Sequence, residues 1–219
     1  MFRYTNSFKE ARFLRAYFYF NLVRAYGDVP YFTEMVTTDQ VNSLTRTPAQ
    51  EIFNAIIAEC DKLSTELPAD YTKLGLDGIA PAENGRVTCY AALALKARAA
   101  LYAASPLFNP ENNKDLWRRA AEANKEVIET CTANGFKLSK YSELWGPNNW
   151  SNNEMIFVRR YNGNISTLEE YNFPMGVPGG NSGNCPTQNM VDAYEMKATG
   201  KMWNETGSGY DASNPYAGR

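Results

Sequence analysis

The segment Glu10–Pro30 constrains the fold of this chain most strongly, because it carries two neighbouring apolar stripes at helical spacing. One stripe comprises Leu14, Phe18, Leu22, Ala25 and Tyr26, and the other comprises Phe13, Ala16, Tyr17, Phe20 and Val23. Only a narrow polar ridge remains, so other elements must cover this helix on most sides. Gly27 suits a left-handed C-terminal residue, and Pro30 forbids continuation. The pattern predicts the central helix of a helical domain, with Phe18 and Leu22 in the core.

A second helix is predicted after a polar connection. Thr47 is expected as its N-cap, with Pro48 at the first helical position and Gln50 completing a capping box. Its apolar positions, at steps of three and four, are Ile52, Ile56, Cys60, Leu63 and Leu67. Pro68 ends the pattern.

Two further helices follow. An alanine-rich segment runs from Arg86 to Ser105 and has high helix propensity. A fourth helix is predicted from about Asp115 to Asn134, with Gly135 as its stop. Its expected apolar face consists of Trp117, Ala120, Ala121, Val127, Ile128 and Cys131. The four helices form two successive pairs, which resemble helical repeats of the tetratricopeptide type.

The sequence loses its helical periodicity after residue 135. We therefore expect a single domain, residues 1–219, with two parts. Residues 1–135 are the helical-pair scaffold, and residues 136–219 are a loop-rich part. Residues 162–184 are rich in asparagine and glycine. A loop this long inside a compact domain is usually functional. The fold class is therefore mainly α, with long irregular loops and a short strand or hairpin.

Composition excludes several classes of function. The net charge is −2 and the pI about 5.4, without a basic face for nucleic acid or a polybasic membrane patch. Histidine is absent, which removes the commonest general base and metal ligand. Cys60, Cys89, Cys131 and Cys185 are too far apart for a CxxC-type zinc site, and buried thiols are favoured over disulfides. We therefore predict no catalytic residue, no cofactor and no metal.

Three motifs carry a resemblance to a known family. Residues 10–16 read Glu-Ala-Arg-Phe-Leu-Arg-Ala, and a run of aromatics leads to Tyr-Gly-Asp-Val-Pro-Tyr at residues 26–31. This stretch resembles the signature of the SusD/RagB family. Gly-Arg-Val-Thr at residues 85–88, followed by Ala-Ala-Leu-Ala-Leu-Lys-Ala-Arg, is similar to the second helical signature of that family. Pro-Thr and Val-Asp-Ala-Tyr at residues 186–194 are similar to a later family helix.

The resemblance implies a role. Members of this family are nutrient-binding lipoproteins on the outer membrane of Bacteroidetes, built on tetratricopeptide-like helical pairs. It implies a protein that binds oligosaccharides or other nutrients and passes them to a SusC-like TonB-dependent transporter without cleaving them. Met1 is not followed by a signal peptide or an early lipid-bearing cysteine. We therefore expect an internal fragment of a surface lipoprotein, whose only membrane attachment is a lipid anchor absent from this sequence.

The resemblance also implies where ligand binds. Family members place binding residues in loops after the strand that matches Ile156 and Phe157. Neutral sugars need aromatic platforms for their C–H faces and amides for their hydroxyl groups. The predicted ligand-binding residues are Trp150, Tyr161, Asn162, Tyr171, Asn172 and Asn181. Trp117 and Trp145 are expected in the core, and Arg12, Arg15 and Arg24 in ion pairs on the helix ridge.

An interaction protein is the alternative. An intracellular helical-repeat adaptor would hold peptide segments in a concave groove. The missing signal peptide favours it, whereas the long aromatic and asparagine-rich loops do not.

Overall fold

The computed structural model describes residues 2–71, 85–145, 152–158 and 171–218, with no side-chain description for residues 2–5 and 145. The helices are α1 (Phe2–Tyr26), α2 (Thr38–Val41), α3 (Ala49–Glu66), α4 (Cys89–Ala104), α5 (Lys114–Ala133) and α6 (Gln188–Asp192), with a 3-10 helix at Tyr141–Trp145. The mainly helical prediction is confirmed. Within the described ranges no strand forms, and the only β pairing is an isolated bridge between Val29 and Thr47. Residues 152–158, where a strand was expected, form turns and bends.

The chain divides into two compact units, Met1–Arg160 and Tyr161–Arg219. We call the first the helical unit and the second the loop-rich unit. In the helical unit, α3 packs against both α1 and α4, and α4 packs against α5. Among the described residues, no helix is long and apolar enough to cross a bilayer.

One stripe of α1 builds the core and the other does not. Phe13, Ala16, Phe20 and Val23 are buried against α3 and α4. The prediction that Phe18 and Leu22 are core is wrong, because Phe18 is 64% exposed and Leu22 39% exposed. The helix lies on its partners along one stripe only, so the opposite apolar stripe faces away from them.

The start of α3 is held by a residue from elsewhere in the chain. The predicted capping box at Thr47 is wrong: Pro48 occupies the N-cap and makes no side-chain capping bond. Instead the Ala49 backbone N–H donates to Oδ1 of Asp28, at 2.8 Å. The Gln50 amide donates to the carbonyls of Ala103 and Phe108, both at 2.7 Å, and so ties α3 to the end of α4. The loop after α1 and the end of α4 therefore fix where α3 begins.

Small side chains allow α4 to sit between its neighbours. Its alanines are mostly buried, and the Thr88 hydroxyl caps its first turn by accepting from the Ala91 N–H. On α5 the buried residues are Ala120, Ala123 and Cys131, with Leu116 partly buried. The prediction that Trp117 and Ile128 are in the core is wrong, because α5 turns Leu116 and Ala123 towards the core and leaves Trp117 and Ile128 exposed. Trp117 is 37% exposed.

Ion pairs join the polar side of α1 to α3. Arg12 donates to both Glu59 and Glu66 of α3 at 2.7 Å, and Arg15 lies 3.6 Å from Glu59. The hydrogen bond from Arg12 lowers the pKa of Glu59. The ion pairs predicted for Arg12 and Arg15 are therefore confirmed. Among the described residues, the ion pair predicted for Arg24 is not found, and its guanidinium lies over the Phe20 ring.

Cysteine burial follows the helical pattern. Cys60 and Cys131 are buried, as predicted, and burial raises the pKa of the Cys60 thiol to about 12. Cys185 is exposed in the loop-rich unit. The side chain of Trp145 lies outside the described residues.

Candidate functional site

The loop of residues 171–184 is closed on itself by backbone hydrogen bonds. The Gly183 N–H donates to the Tyr171 carbonyl at 2.6 Å, and the Ser182 N–H donates to the Phe173 carbonyl at 2.9 Å. The Ser182 hydroxyl also accepts from the Met175 N–H, at 2.8 Å. Such closure gives a surface loop a defined shape without a hydrophobic core.

Glycine is required at the tip of this loop. Gly176 and Gly179 have φ of 101° and 82°, a region that residues with a Cβ rarely adopt. A Cβ on Gly180 would lie 2.3 Å from the Pro174 carbonyl oxygen. The glycine content of the sequence here therefore reflects a tight reversal of the chain.

Three of the six predicted ligand residues lie on this loop. Tyr171 is 62% exposed, and Asn172 and Asn181 are also exposed. Oδ1 of Asn172 accepts from Nδ2 of Asn184 at 2.7 Å. The other three predicted residues, Trp150, Tyr161 and Asn162, lie outside the described residues. The loop thus presents an aromatic ring and two side-chain amides to solvent.

An apolar cavity follows directly along the chain. Its volume is about 380 Å³, and it is lined by Pro186, Met190, Val191 and Tyr194. The Thr187 hydroxyl caps α6 by accepting from the Met190 N–H, so the cavity residues are presented from one short, capped turn of helix. Met190 and Tyr194 are both more than half exposed. This volume is within the range of small-molecule sites, roughly 300–1,000 Å³.

Polar side chains are held near this helix by the end of the chain. The Tyr216 hydroxyl donates to Oε1 of Gln188 at 3.4 Å, and Nε2 of Gln188 donates to Oδ1 of Asp192 at 2.9 Å. The Lys197 N–H donates to the Gly218 carbonyl at 2.8 Å, which brings residues 214–218 back towards α6. The result is an exposed tyrosine, an amide and a carboxylate within one hydrogen-bonded group.

Tyr194, Met190 and Tyr216 were not predicted as site residues. Tyr194 belongs to the Val-Asp-Ala-Tyr motif, which was interpreted only as part of a family helix. The available signal was an aromatic residue just beyond a short helix in an otherwise polar, loop-rich segment. Tyr216 gave a weaker signal, because nothing local in the sequence brings it back to Gln188.

The turns of residues 196–210 are held by one small buried group. Met196 and Ser208 are buried, and the Thr199 hydroxyl donates to the Ser208 carbonyl at 2.8 Å. The ring of Trp203 packs edge-on against Tyr210 with centroids 5.4 Å apart. Trp203 is thus half-buried and committed to an internal contact.

The polar and charged groups of this unit include one carboxylate that is held in a turn. The hydroxyl and backbone N–H of Ser213 lower the pKa of Asp211, so this carboxylate is the cap of a turn. Among the described residues, no cluster of three or more His, Cys, Asp or Glu side chains is placed to hold a metal ion. An exposed aromatic ring, an apolar cavity and amide groups are suited to a neutral polyhydroxylated ligand.

A second cavity lies in the helical unit, beside the loop between α1 and α2. Its volume is about 500 Å³, and it is lined by Arg15, Tyr19, Phe32, Thr33, Glu34, Met35, Val36 and Val41. Its aromatic rings are already engaged, because Tyr19 packs edge-on against both Tyr31 and Phe32. Its arginine is engaged too, since Arg15 donates to the Thr33 carbonyl and pairs with Glu59. It is therefore the weaker candidate for a sugar ligand.

A family model, two relatives and a solved structure all indicate similarity to the same family of proteins. A SusD-like family, described as starch-binding and associating with the outer membrane, matches residues 3–101. The chain is 25% identical over 149 residues to SusD-like protein P25 of Formosa agariphila, and 27% identical over 162 residues to SusD-like protein P2 of the same organism. These alignments cover 68% and 72% of this chain but only 24% and 28% of the relatives. The chain therefore spans about a quarter of the length of these relatives.

A solved structure shows the same fold. A SusD-like carbohydrate-binding protein from Bacteroides fragilis superposes with a TM-score of 0.74 at 27% identity. The superposition covers 98% of this chain and 38% of that protein. Both parts of the sequence, the helices and the loop-rich segment, are thus matched within one known architecture.

Proposed function

Since this chain belongs to the SusD/RagB family, we propose that it binds oligosaccharides and does not cleave them. The description of the family as starch-binding, and of the Bacteroides fragilis protein as carbohydrate-binding, supports the ligand class. The absence of histidine from the sequence supports the lack of catalysis.

The binding site that we propose is the described part of the loop-rich unit. The observation that carries this assignment is the exposure of Tyr171 and Tyr194 beside exposed amides, on backbone that is fixed by its own hydrogen bonds. Preformed aromatic platforms bind sugar at low conformational cost. Asn172, Asn181 and Gln188 supply donors and acceptors for hydroxyl groups. Trp150, Tyr161 and Asn162 remain part of this proposal on the family resemblance alone.

Cellular context is part of the same proposal. We place the intact protein at the outer membrane, as a surface lipoprotein that delivers its ligand to a SusC-like TonB-dependent transporter. The family description of association with the outer membrane supports the location. The helical unit would then serve as scaffold, and as the surface that faces the transporter.

Isothermal titration calorimetry with a panel of neutral gluco-, galacto- and xylo-oligosaccharides tests the proposal. For the oligosaccharide that binds most tightly, we expect Tyr171→Ala and Tyr194→Ala each to weaken binding by about 1 kcal/mol, or roughly fivefold, through loss of a stacked ring. The melting temperature should stay almost unchanged, because both rings are exposed.

The matched control is Tyr26→Ala, which removes an even more exposed tyrosine from α1 in the helical unit. It should leave affinity unchanged. Failure of every glycan in the panel to bind, together with binding of extended peptides, would favour a helical-repeat adaptor. Unchanged affinity in both loop variants would remove the assigned site while leaving glycan binding intact.

A further inference from the structure

The cavity beside α6 has apolar walls. Among the described residues, those that line it are Pro186, Met190, Val191 and Tyr194. The Tyr194 hydroxyl is the one strong hydrogen-bonding group on these four side chains, because the methionine thioether is only a weak acceptor. Tyr194 is more than half exposed, so part of its ring remains open to solvent. A group that enters the cavity therefore meets mainly hydrocarbon.

The backbone of the lining helix is engaged in its own hydrogen bonds. The N–H groups of Met190 and Val191 both donate to the Thr187 carbonyl, at 2.9 and 3.2 Å. The carbonyls of Met190 and Val191 accept from the N–H groups of Ala193 and Tyr194, at 3.3 and 3.2 Å. All three backbone donors of Met190, Val191 and Tyr194 are therefore used within this turn of the chain. They are not available to a hydroxyl group inside the cavity.

The polar side chains of α6 lie on a different face. Gln188 and Asp192 are one turn apart, and Nε2 of Gln188 donates to Oδ1 of Asp192 at 2.9 Å. Gln188 precedes Met190 by two positions, which is about 200° around a helix axis. The amide and the carboxylate thus face away from the wall that Met190 forms. They can meet hydroxyl groups elsewhere on a glycan, but not a group within the cavity.

These walls favour a methyl group over a hydroxyl group. A hydroxyl that enters an apolar cavity gives up its hydrogen bonds to water and finds few replacements, which costs free energy. A methyl group gains free energy by leaving water. An N-acetyl group is less suitable than a methyl group, because its amide N–H and carbonyl also need partners. A volume of about 380 Å³, near the lower end of small-molecule sites, suits a single sugar residue.

We propose that this cavity receives the methyl group of a 6-deoxyhexose, and so selects glycans that contain such a sugar. A 6-deoxyhexose carries a methyl group where an ordinary hexose carries a hydroxymethyl group, so the two differ by one oxygen atom. The methyl group lies among Pro186, Met190 and Val191, and the apolar C–H groups of the sugar ring lie against Tyr194. This inference rests on the proposed glycan binding and names the class of sugar for the same site.

NMR titration with pairs of sugars that differ only in this oxygen tests the inference. The pairs are L-fucose with L-galactose and L-rhamnose with L-mannose, and the methyl signals of Met190 and Val191 report occupation of the cavity. We expect at least one deoxy sugar to bind roughly three- to thirtyfold more tightly than its partner, because its methyl group needs no hydrogen bond. N-acetylglucosamine should bind no more tightly than glucose.

Two substitutions in the cavity wall test the cause of the preference. Val191→Thr exchanges a methyl group for a hydroxyl group at almost the same volume, and should make the preference for the deoxy sugar severalfold smaller. Met190→Gln, which brings an amide into the wall, is the second variant in case the first does not fold. The matched control is Val158→Thr, because Val158 is also half-buried but lies in the helical unit. It should leave the preference unchanged.

Several results would overturn this inference while leaving glycan binding intact. They are equal affinity within both pairs, a preference for the hydroxymethyl sugars, tighter binding of N-acetylglucosamine than of glucose, and a preference that persists in both cavity variants. Binding without a shift of the Met190 and Val191 methyl signals would also overturn it. Failure of every sugar to bind, here and in the panel of neutral oligosaccharides, would refute the proposed function together with this inference.

Discussion

The helical unit and the loop-rich unit are stabilised in different ways. The helical unit has a continuous core in which Phe13, Phe20, Phe53 and Ile52 are almost completely buried. The described part of the loop-rich unit buries very little, chiefly Met196 and Ser208, and is held by turns, capping side chains and glycines with positive φ. Tyr171, Tyr194 and Tyr216 remain at its surface, whereas Trp203 and Tyr210 pack against each other. A substitution should therefore affect stability in the first unit and ligand affinity in the second.

The largest effect expected from this difference is in the core. Phe53→Ala should destabilise the protein by about 3–5 kcal/mol, because Phe53 has no exposed surface and packs edge-on against Phe20 and Phe108. Phe18→Ala is the matched control, since Phe18 is apolar and mostly exposed on α1; its cost should stay within about 0.5 kcal/mol. Urea unfolding measures both. Equal costs for the two would mean that the outer face of α1 is covered in this chain.

A smaller effect is expected at the ion pair between α1 and α3. Glu59→Gln should cost about 1–3 kcal/mol at pH 7, because it removes the carboxylate that pairs with both Arg12 and Arg15 and leaves Arg12 with Glu66 alone. Arg12 lowers the pKa of Glu59 in the folded state, so the pair stabilises the protein above the unfolded pKa. That stabilisation is lost as the pH falls through the lower, folded pKa.

Unfolding at a series of pH values tests this linkage. The difference in stability between wild type and Glu59→Gln should shrink as the pH falls below about 4. Asp115→Asn is the control, because its pair with Arg118 is exposed and should contribute under about 1 kcal/mol. A difference that persists at low pH would assign the effect to packing and not to charge.

The smallest of these effects is expected at the start of α3. There the side chain of Asp28, in the loop after α1, accepts a hydrogen bond from the Ala49 N–H and so joins a loop to the core. Asp28→Ala should cost about 1 kcal/mol, the usual value of an N-terminal cap, because Ala49 loses its acceptor. Asp28→Asn keeps an acceptor oxygen and should recover most of that loss. Thermal unfolding of both variants measures these costs. If Thr47→Ala destabilised the protein and Asp28→Ala did not, the result would support the capping box at Thr47 and contradict the cap by Asp28.

The sequence predicted the helices because each carries its own periodicity, but it did not predict which face of a helix is buried. The two stripes of α1 are equally apolar, and only the position of α3 selects Phe20 over Phe18. On α5, the apolar pattern puts Trp117 on the inward face, whereas alanine-rich α4 approaches closely and favours Ala120 and Ala123 there. The cap from Asp28 was missed because that residue is 21 positions away from Ala49.

The candidate site was predictable only in part for a similar reason. The loop that carries Tyr171 was found from its asparagine and glycine content, and the closing bonds at Gly183 and Ser182 account for that content. The cavity at Met190 and Tyr194 has no local pattern that distinguishes it from an ordinary short helix. The contact of Tyr216 with Gln188 joins residues 28 positions apart, so no local pattern predicts it.

The central claim is that glycan binds to the loop-rich unit while the helical unit supports it. Mapping of backbone amide chemical shifts during titration with the tightest-binding oligosaccharide of the panel tests it most directly. The shifting amides should fall mainly within residues 171–194 and 216–218, and the amide signals of α3, α4 and α5 should not shift. Shifts confined to the helical unit, for example around the cavity at Tyr19 and Phe32, would contradict it.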